Sequence, residues 1–187
     1  MNTLIITAHP SSMGFTHAIA HAYKENAEIE GRDVEILDLY ATDLKQDFLR
    51  FEKMSDIGKN EITQKMQQKI EWAEELVFVF PVWWADAPAI LKNWIDCNFT
   101  TGFAFKYING KPVGLLKNKT ARIFATSGAP SFVYRLFPLP YKILWGMLRL
   151  GFCGITTTSL KVFGNMEKTS AVDKKSALSK EMKKIFG

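Results

Sequence analysis

The sequence predicts a doubly wound α/β domain, with five parallel strands in the order 2-1-3-4-5 and helices on both faces. Residues 1–187 are expected to form it as a single domain. Three observations lead there. Short apolar runs alternate with helix-spaced segments five times along the chain, the pattern of successive βαβ units. A length of 187 residues with 47% hydrophobic and 23% charged content suits one well-filled core. The loops richest in small, polar and aromatic residues are 9–14, 81–87 and 126–131, and each follows a predicted strand. Open parallel sheets bind ligands at that edge.

Leu4 to Ala8 reads as the first, buried strand, followed by the loop His9-Pro10-Ser11-Ser12-Met13-Gly14. A helix starts near Phe15-Thr16, with Phe15, Ala18, Ile19, Ala22 and Tyr23 on one apolar face, and Gly31 stops it. Strand, Ser/Gly loop and helix together place backbone N–H groups and a helix N-terminus around a phosphate. Ser11, Ser12 and Thr16 add hydroxyl donors and His9 a switchable one. The loop is neither GxGxxG nor a Walker A motif, and an ordinary βα turn fits it equally well. His17 and His21 stand four apart on this helix without a third ligand, so no metal site is expected and both are read as facing solvent.

Asp33 to Leu39 alternates as the second strand, and residues 40–60 read as a long connection with short helical pieces. Asn60 or Thr63 can cap a helix marked by Ile62, Met66, Ile70 and Ala73. Leu76 to Phe80 is the third strand, Pro81 to Ala87 an aromatic loop, and Pro88 starts a helix running to residue 98. Two tryptophans on a loop are costly to leave in water, which points to a flat ligand or a second subunit as their cover. Residues 102–107 read as an irregular aromatic segment before an Asn109-Gly110 turn. Thr120 to Ala125 is the fourth strand, Ile155 to Phe163 the fifth, and residues 170–186 a Lys-rich terminal helix.

Between them, Ser131 to Cys153 is rich in apolar and aromatic residues, including Phe132, Tyr134, Phe137, Tyr141 and Trp145. Arg135, Lys142 and Arg149 interrupt it, so it holds no uncharged span long enough for a transmembrane helix. An amphipathic lid, an interface helix and a peripheral membrane contact through 132–153 all fit.

Charge is divided unevenly. Residues 1–96 carry 9 basic and 16 acidic side chains, whereas residues 97–166 carry nine basic and no acidic ones. An acid-free segment suits an anionic partner: nucleotide phosphates, an anionic membrane surface or nucleic acid. A solvated basic face is the alternative. Nucleic acid fits least, because no aromatic–basic module accompanies the charge. No signal peptide is expected before Leu4-Ile5-Ile6, and Cys97 and Cys153 read as buried free thiols, so a cytoplasmic protein is expected.

Several runs resemble the flavodoxin-like NAD(P)H:quinone oxidoreductase family. They are His9-Pro10 with Gly14-Phe15-Thr16, Phe80-Pro81-Val82-Trp83-Trp84, and Pro88-Ala89-Ile90-Leu91-Lys92-Asn93-Trp94-Ile95-Asp96. Gly102-Phe103-Ala104 and Thr126-Ser127-Gly128 follow in the family's order, over roughly residues 3–130. The resemblance implies a flavin, FMN or FAD, and a homodimer with two sites at its interface. It implies hydride transfer from NAD(P)H to the flavin and on to a quinone or similar small acceptor, in ping-pong order. Carried onto matching positions, His9, Ser11, Gly14, Phe15 and Thr16 hold the flavin phosphate. Pro81, Val82, Trp83, Trp84 and Ala85 line the isoalloxazine edge, and Thr126, Ser127, Gly128 and Ala129 meet its pyrimidine end. Tyr134 falls where the family places a tyrosine near N1 and O2, the catalytic assignment. Phe105 and Tyr107 match aromatics reaching into the partner subunit's substrate pocket. The family histidine after that tyrosine has no counterpart, because residues 135–166 contain none. Two other classes share the fold: an electron-carrier flavodoxin, whose acidic docking surface the basic 97–166 segment opposes, and a regulatory or ancillary subunit of a membrane transporter.

Overall fold

The computed structural model describes residues 1–53, 56–136 and 139–187. Its main sheet has five parallel strands: β1 (Asn2–Thr7), β2 (Asp33–Asp38), β3 (Glu75–Pro81), β6 (Thr120–Thr126) and β7 (Thr156–Phe163). They lie in the order β2-β1-β3-β6-β7, which is the predicted 2-1-3-4-5. The numbering gap belongs to a hairpin set apart from the sheet. Strands β4 (Phe105–Ile108) and β5 (Lys111–Gly114) pair antiparallel there, where an irregular segment was expected. Asn109 (φ 51°) and Gly110 (φ 75°) form its two-residue turn, the left-handed pair that matches strand twist in tight hairpins.

Side-chain alternation along the buried strands builds two apolar layers. Leu4, Ile6, Phe78, Phe80, Ile123 and Ala125 pack against helices α2 (Glu61–Trp72) and α3 (Ala89–Asn98). Ile5, Val77, Val79 and Phe124 pack against α1 (Phe15–Ile29) and α5 (Ala171–Phe186). Gly31 (φ 73°) closes α1: its N–H and that of Arg32 donate to the Glu28 and Ala27 carbonyls, so the last turn is satisfied. Asn60 caps α2 by accepting from Thr63 N at 2.8 Å. No helix forms over 40–53, and the helical pieces expected over 40–60 reduce, among the described residues, to 3-10 backbone at Asp56. Buried Asn93 on α3 holds that connection instead, bonding the Gln46 and Asp47 carbonyls and the Leu49 N–H.

After a short helix α4 (Ser131–Leu136), residues Leu139–Leu150 form a π-helical segment, followed by a 3-10 turn at Gly151–Cys153. Trp145 plugs the segment into the core: fully buried, it stacks on Phe80 at 4.8 Å and 24°. Met147 and Leu148 face solvent. Phe137 lies outside the described residues, as do the side chains of Arg135, Tyr141 and Lys142. Among the described residues, no helix is long and apolar enough to cross a membrane. β6 and β7 slip register by one residue, pairing Ala121 with Thr157 but Arg122 with Ser159. The extra Thr158 donates its hydroxyl to the Ala121 carbonyl at 3.1 Å, as a bulge residue does.

At the N-terminal edge of the sheet, Glu75 is buried and accepts from Tyr23 Oη (2.6 Å), Arg122 Nε (2.9 Å) and Arg32 Nη1 (3.3 Å). Removing the carboxylate leaves two guanidinium groups and a phenol facing an empty space. Glu75→Ala is therefore expected to cost about 3 kcal/mol or more of stability, read as a lower urea midpoint; an unchanged midpoint would contradict this structural role.

Candidate functional site

The parallel arrangement delivers the loops after β1, β3 and β6 to one edge, and backbone bonds lock them together. Ala8 N donates to Val79 O (3.1 Å), Val82 N to Thr126 O (2.7 Å) and Ser127 N to Phe163 O (2.8 Å). The hydroxyls of Thr16 and Thr126, both buried, meet at 3.4 Å. So the predicted residues of 9–16, 81–85 and 126–129 converge.

In the first loop, Ser11 N donates to His9 Nδ1 at 3.0 Å. The Ser11 carbonyl is equally close to that nitrogen, but a neutral ring nitrogen serves only one bond. In the tautomer whose Nδ1 accepts from the amide, the proton sits on Nε2; in the other, Nδ1 donates to the carbonyl. Gly14 makes room for the ring, since a Cβ there would lie 3.1 Å from His9 Cε1. Gly14 is also the residue before α1; it offers no side-chain cap, and the first turn holds no acidic residue. The N–H groups of that turn therefore suit an anion. The Phe15 ring turns away and packs edge-on against Phe163 at 5.4 Å, which leaves its backbone as the ligand-facing part.

The loop after β3 is a tight turn in which Trp83 N donates to Asp86 O (2.8 Å) and Asp86 N to Trp83 O (3.0 Å). Its central residues, Trp84 (φ 49°) and Ala85 (φ 61°), are both left-handed. Such turns are normally Asn-Gly, and a side chain in this region costs about 1–2 kcal/mol. Trp84 is fully exposed and Trp83 partly so. The last residue of the turn is firmly held: Arg149 donates to both Asp86 carboxylate oxygens (2.8 and 2.6 Å), and Trp145 Nε1 and Ala87 N donate to Oδ1 (3.2 and 2.7 Å). Burial disfavours the charged form of Asp86. The hydrogen bonds from Arg149, Ala87 and Trp145, with the guanidinium charge, outweigh it and hold the carboxyl below its usual range. A carboxyl lowered in the folded state stabilises above its unfolded value and loses that stabilisation as pH falls through its folded value. The pair therefore outlasts ordinary carboxylate titration. Sequence reasoning missed this group of three; its one trace was an arginine inside an apolar, acid-free segment.

In the loop after β6, Ala129 N donates to Ser127 Oγ (3.0 Å), and Ser127 Oγ lies 2.6 Å from Tyr134 Oη. The Ser127 and Ala129 amides are thus both engaged, so of the three amides 127–129 it is Gly128 that is available to a ligand among the described residues.

Two expectations need correction. His17 does not face solvent: it is buried, with Nε2 3.0 Å from Asp38 Oδ2, because its side of α1 packs over the end of β2. His21 is exposed. Phe105 and Tyr107 stand on the hairpin, not in an irregular strand-free segment. Phe105 is half-buried against Phe152 at 4.9 Å, whereas Tyr107 is exposed. Burial pushes the Cys153 thiol up to about 11 and, with the Asp96 charge, raises Cys97; neither thiol is set up as a nucleophile.

Residues 1–185 match a family profile described as a flavodoxin-like fold, well past residue 130, where the resemblance read from the sequence ended. An uncharacterized NAD(P)H oxidoreductase of Haemophilus influenzae is 33% identical over 172 residues, 89% of this chain and 85% of its own length. The FMN-dependent NADH:quinone oxidoreductase of Clostridium beijerinckii is 35% identical over 199 residues, 96% of this chain and 95% of its own. Among solved structures, Smu.1420 from Streptococcus mutans superposes with a TM-score of 0.86 at 32% identity, covering 100% of this chain and 99% of that one. With the strand order, the converging loops and these matches agreeing, the chain belongs to the flavodoxin-like family of NAD(P)H:quinone oxidoreductases.

Proposed function

We propose that this chain is an FMN-dependent oxidoreductase that takes hydride from NAD(P)H and delivers it to a quinone or a similar small electrophile, in ping-pong order, as a homodimer. The observation that carries the reading is the convergence of three locked loops, with an open helix N-terminus at one end and an exposed indole at the other. The FMN-dependent Clostridium beijerinckii relative, alike over nearly the whole chain, supports the choice of flavin.

A bound flavin supplies the hydride chemistry; the protein supplies placement, stacking and charge compensation. The His9 ring, Ser11, Thr16 and the Gly14–Thr16 backbone would hold the phosphate. Pro81, Val82, Trp83, Trp84 and Ala85 frame the ring, and Thr126, Ser127, Ala129 and the Gly128 N–H meet its pyrimidine end. Ser127 Oγ accepts from Ala129 N–H and lies 2.6 Å from Tyr134 Oη, so the linked pair of hydroxyls would stand at the edge where negative charge gathers. Tyr107 and Ile108 are exposed on the hairpin; in the proposed dimer Tyr107 would enter the second copy's pocket and Phe105 would support it.

The purified protein should bind FMN, bleach on adding NAD(P)H anaerobically and recover its colour with menadione. A protein that takes up no flavin would overturn the reading, and bound flavin that NAD(P)H fails to bleach would indicate an electron carrier instead. Parallel double-reciprocal plots should report the ping-pong order. Tyr134→Phe should slow stopped-flow flavin reduction ~10-fold, with an unchanged rate reducing Tyr134 to a packing residue.

A further inference from the structure

The Trp83–Asp86 turn holds two non-glycine residues in left-handed backbone conformations, and two hydrogen bonds across the turn act locally to keep them there. Its fourth residue, however, is welded to a distant element. Arg149 grips both Asp86 oxygens in a fork, and Trp145 donates to one of them. The guanidinium lies over the Trp145 indole at 4.9 Å, and that indole is sealed between Phe78 and Phe80 of β3. The anchor thus reaches the turn from the same strand that the turn leaves, by way of the π-helical segment.

We infer that Arg149 and Trp145 are positioning residues which hold the Trp83–Asp86 turn in its left-handed form and so fix the exposed Trp84 indole at the edge of the site. The tether is independent of any ligand. Its catalytic consequence, placement of the flat acceptor against Trp84, rests on the oxidoreductase reading.

The test uses the full chain with Arg149→Met, which keeps most of the side-chain volume and removes the fork. Without the tether the turn opens more often, and cleavage of an opening segment tracks its open population. Chymotryptic cutting after Trp83 and Trp84, without added flavin, should rise about 5-fold or more. In the FMN-loaded enzyme the KM for menadione should rise about 5-fold, with a smaller change in kcat, because acceptor placement is lost more than chemistry. Adding Ala85→Gly to Arg149→Met should bring both values back toward the parent, because glycine adopts the left-handed conformation without strain. A pairing that merely staples residues 139–150 would not respond to a glycine in the turn. Should Arg149→Met not fold, Asp86→Asn, nearly isosteric, should raise cleavage in the same direction, with the same rescue. Unchanged cleavage, or cleavage that Ala85→Gly does not reduce, overturns the inference. A parent that binds no flavin yet shows the rise and its rescue supports the tether and overturns the oxidoreductase reading.

Discussion

Strand β3 is covered on both faces and flanked by β1 and β6, so every residue from Glu75 to Pro81 is buried. The backbone of such a strand is satisfied only by its neighbours, and its side chains only by the helices above and below. The chain surfaces where the ladder ends, and the two ends are finished in opposite ways. At the N-terminal end, Glu75 closes a network with Tyr23, Arg32 and Arg122, in which each charge finds a partner. At the C-terminal end, Pro81 ends the pairing and the chain enters a turn with strained dihedrals, an exposed indole and the neighbouring helix start uncapped. The buried charge network thus sits at one pole and the strained, exposed turn at the other, the end at which open α/β sheets carry ligands.

The uneven charge distribution acquires a local meaning in Asp86. It belongs to the acid-rich first half of the chain, and its partner Arg149 to the acid-free segment. A guanidinium in an apolar segment would be costly without a carboxylate; here it finds one on the loop where conformation matters most. One contact therefore serves two ends, seating the 139–150 segment and restraining the turn.

The parts of this arrangement differ in how far they could be read beforehand. The inner strands were legible because burial on two faces writes largely apolar runs, β2 because its residues alternate and β7 because it is rich in β-branched residues; alternation with helices dictates their parallel order. The three loops were legible because their positions follow from that order. The hairpin was not: β4 and β5 are four residues each and mostly exposed, so they carry no periodicity, and only Asn109-Gly110 marked them. His17 was misread because its helix face is set by the register of α1 over β2, which a spacing argument does not supply. Asp86 and Arg149 are 63 positions apart, and no local pattern joins such a pair.

The one-residue slip between β6 and β7 has a consequence for the molecule as a solute. β7 is an outer strand, and an outer strand with a regular row of unpaired amides is a template on which further chains can assemble. The extra Thr158 breaks the repeat of that row and adds twist, and Lys161 places a charge farther along the same strand. At the opposite border, β2 carries Asp33, Glu35 and Asp38 among its six residues. Both borders of the five-stranded sheet thus carry features that disfavour lateral growth, irregular geometry on one and carboxylates on the other.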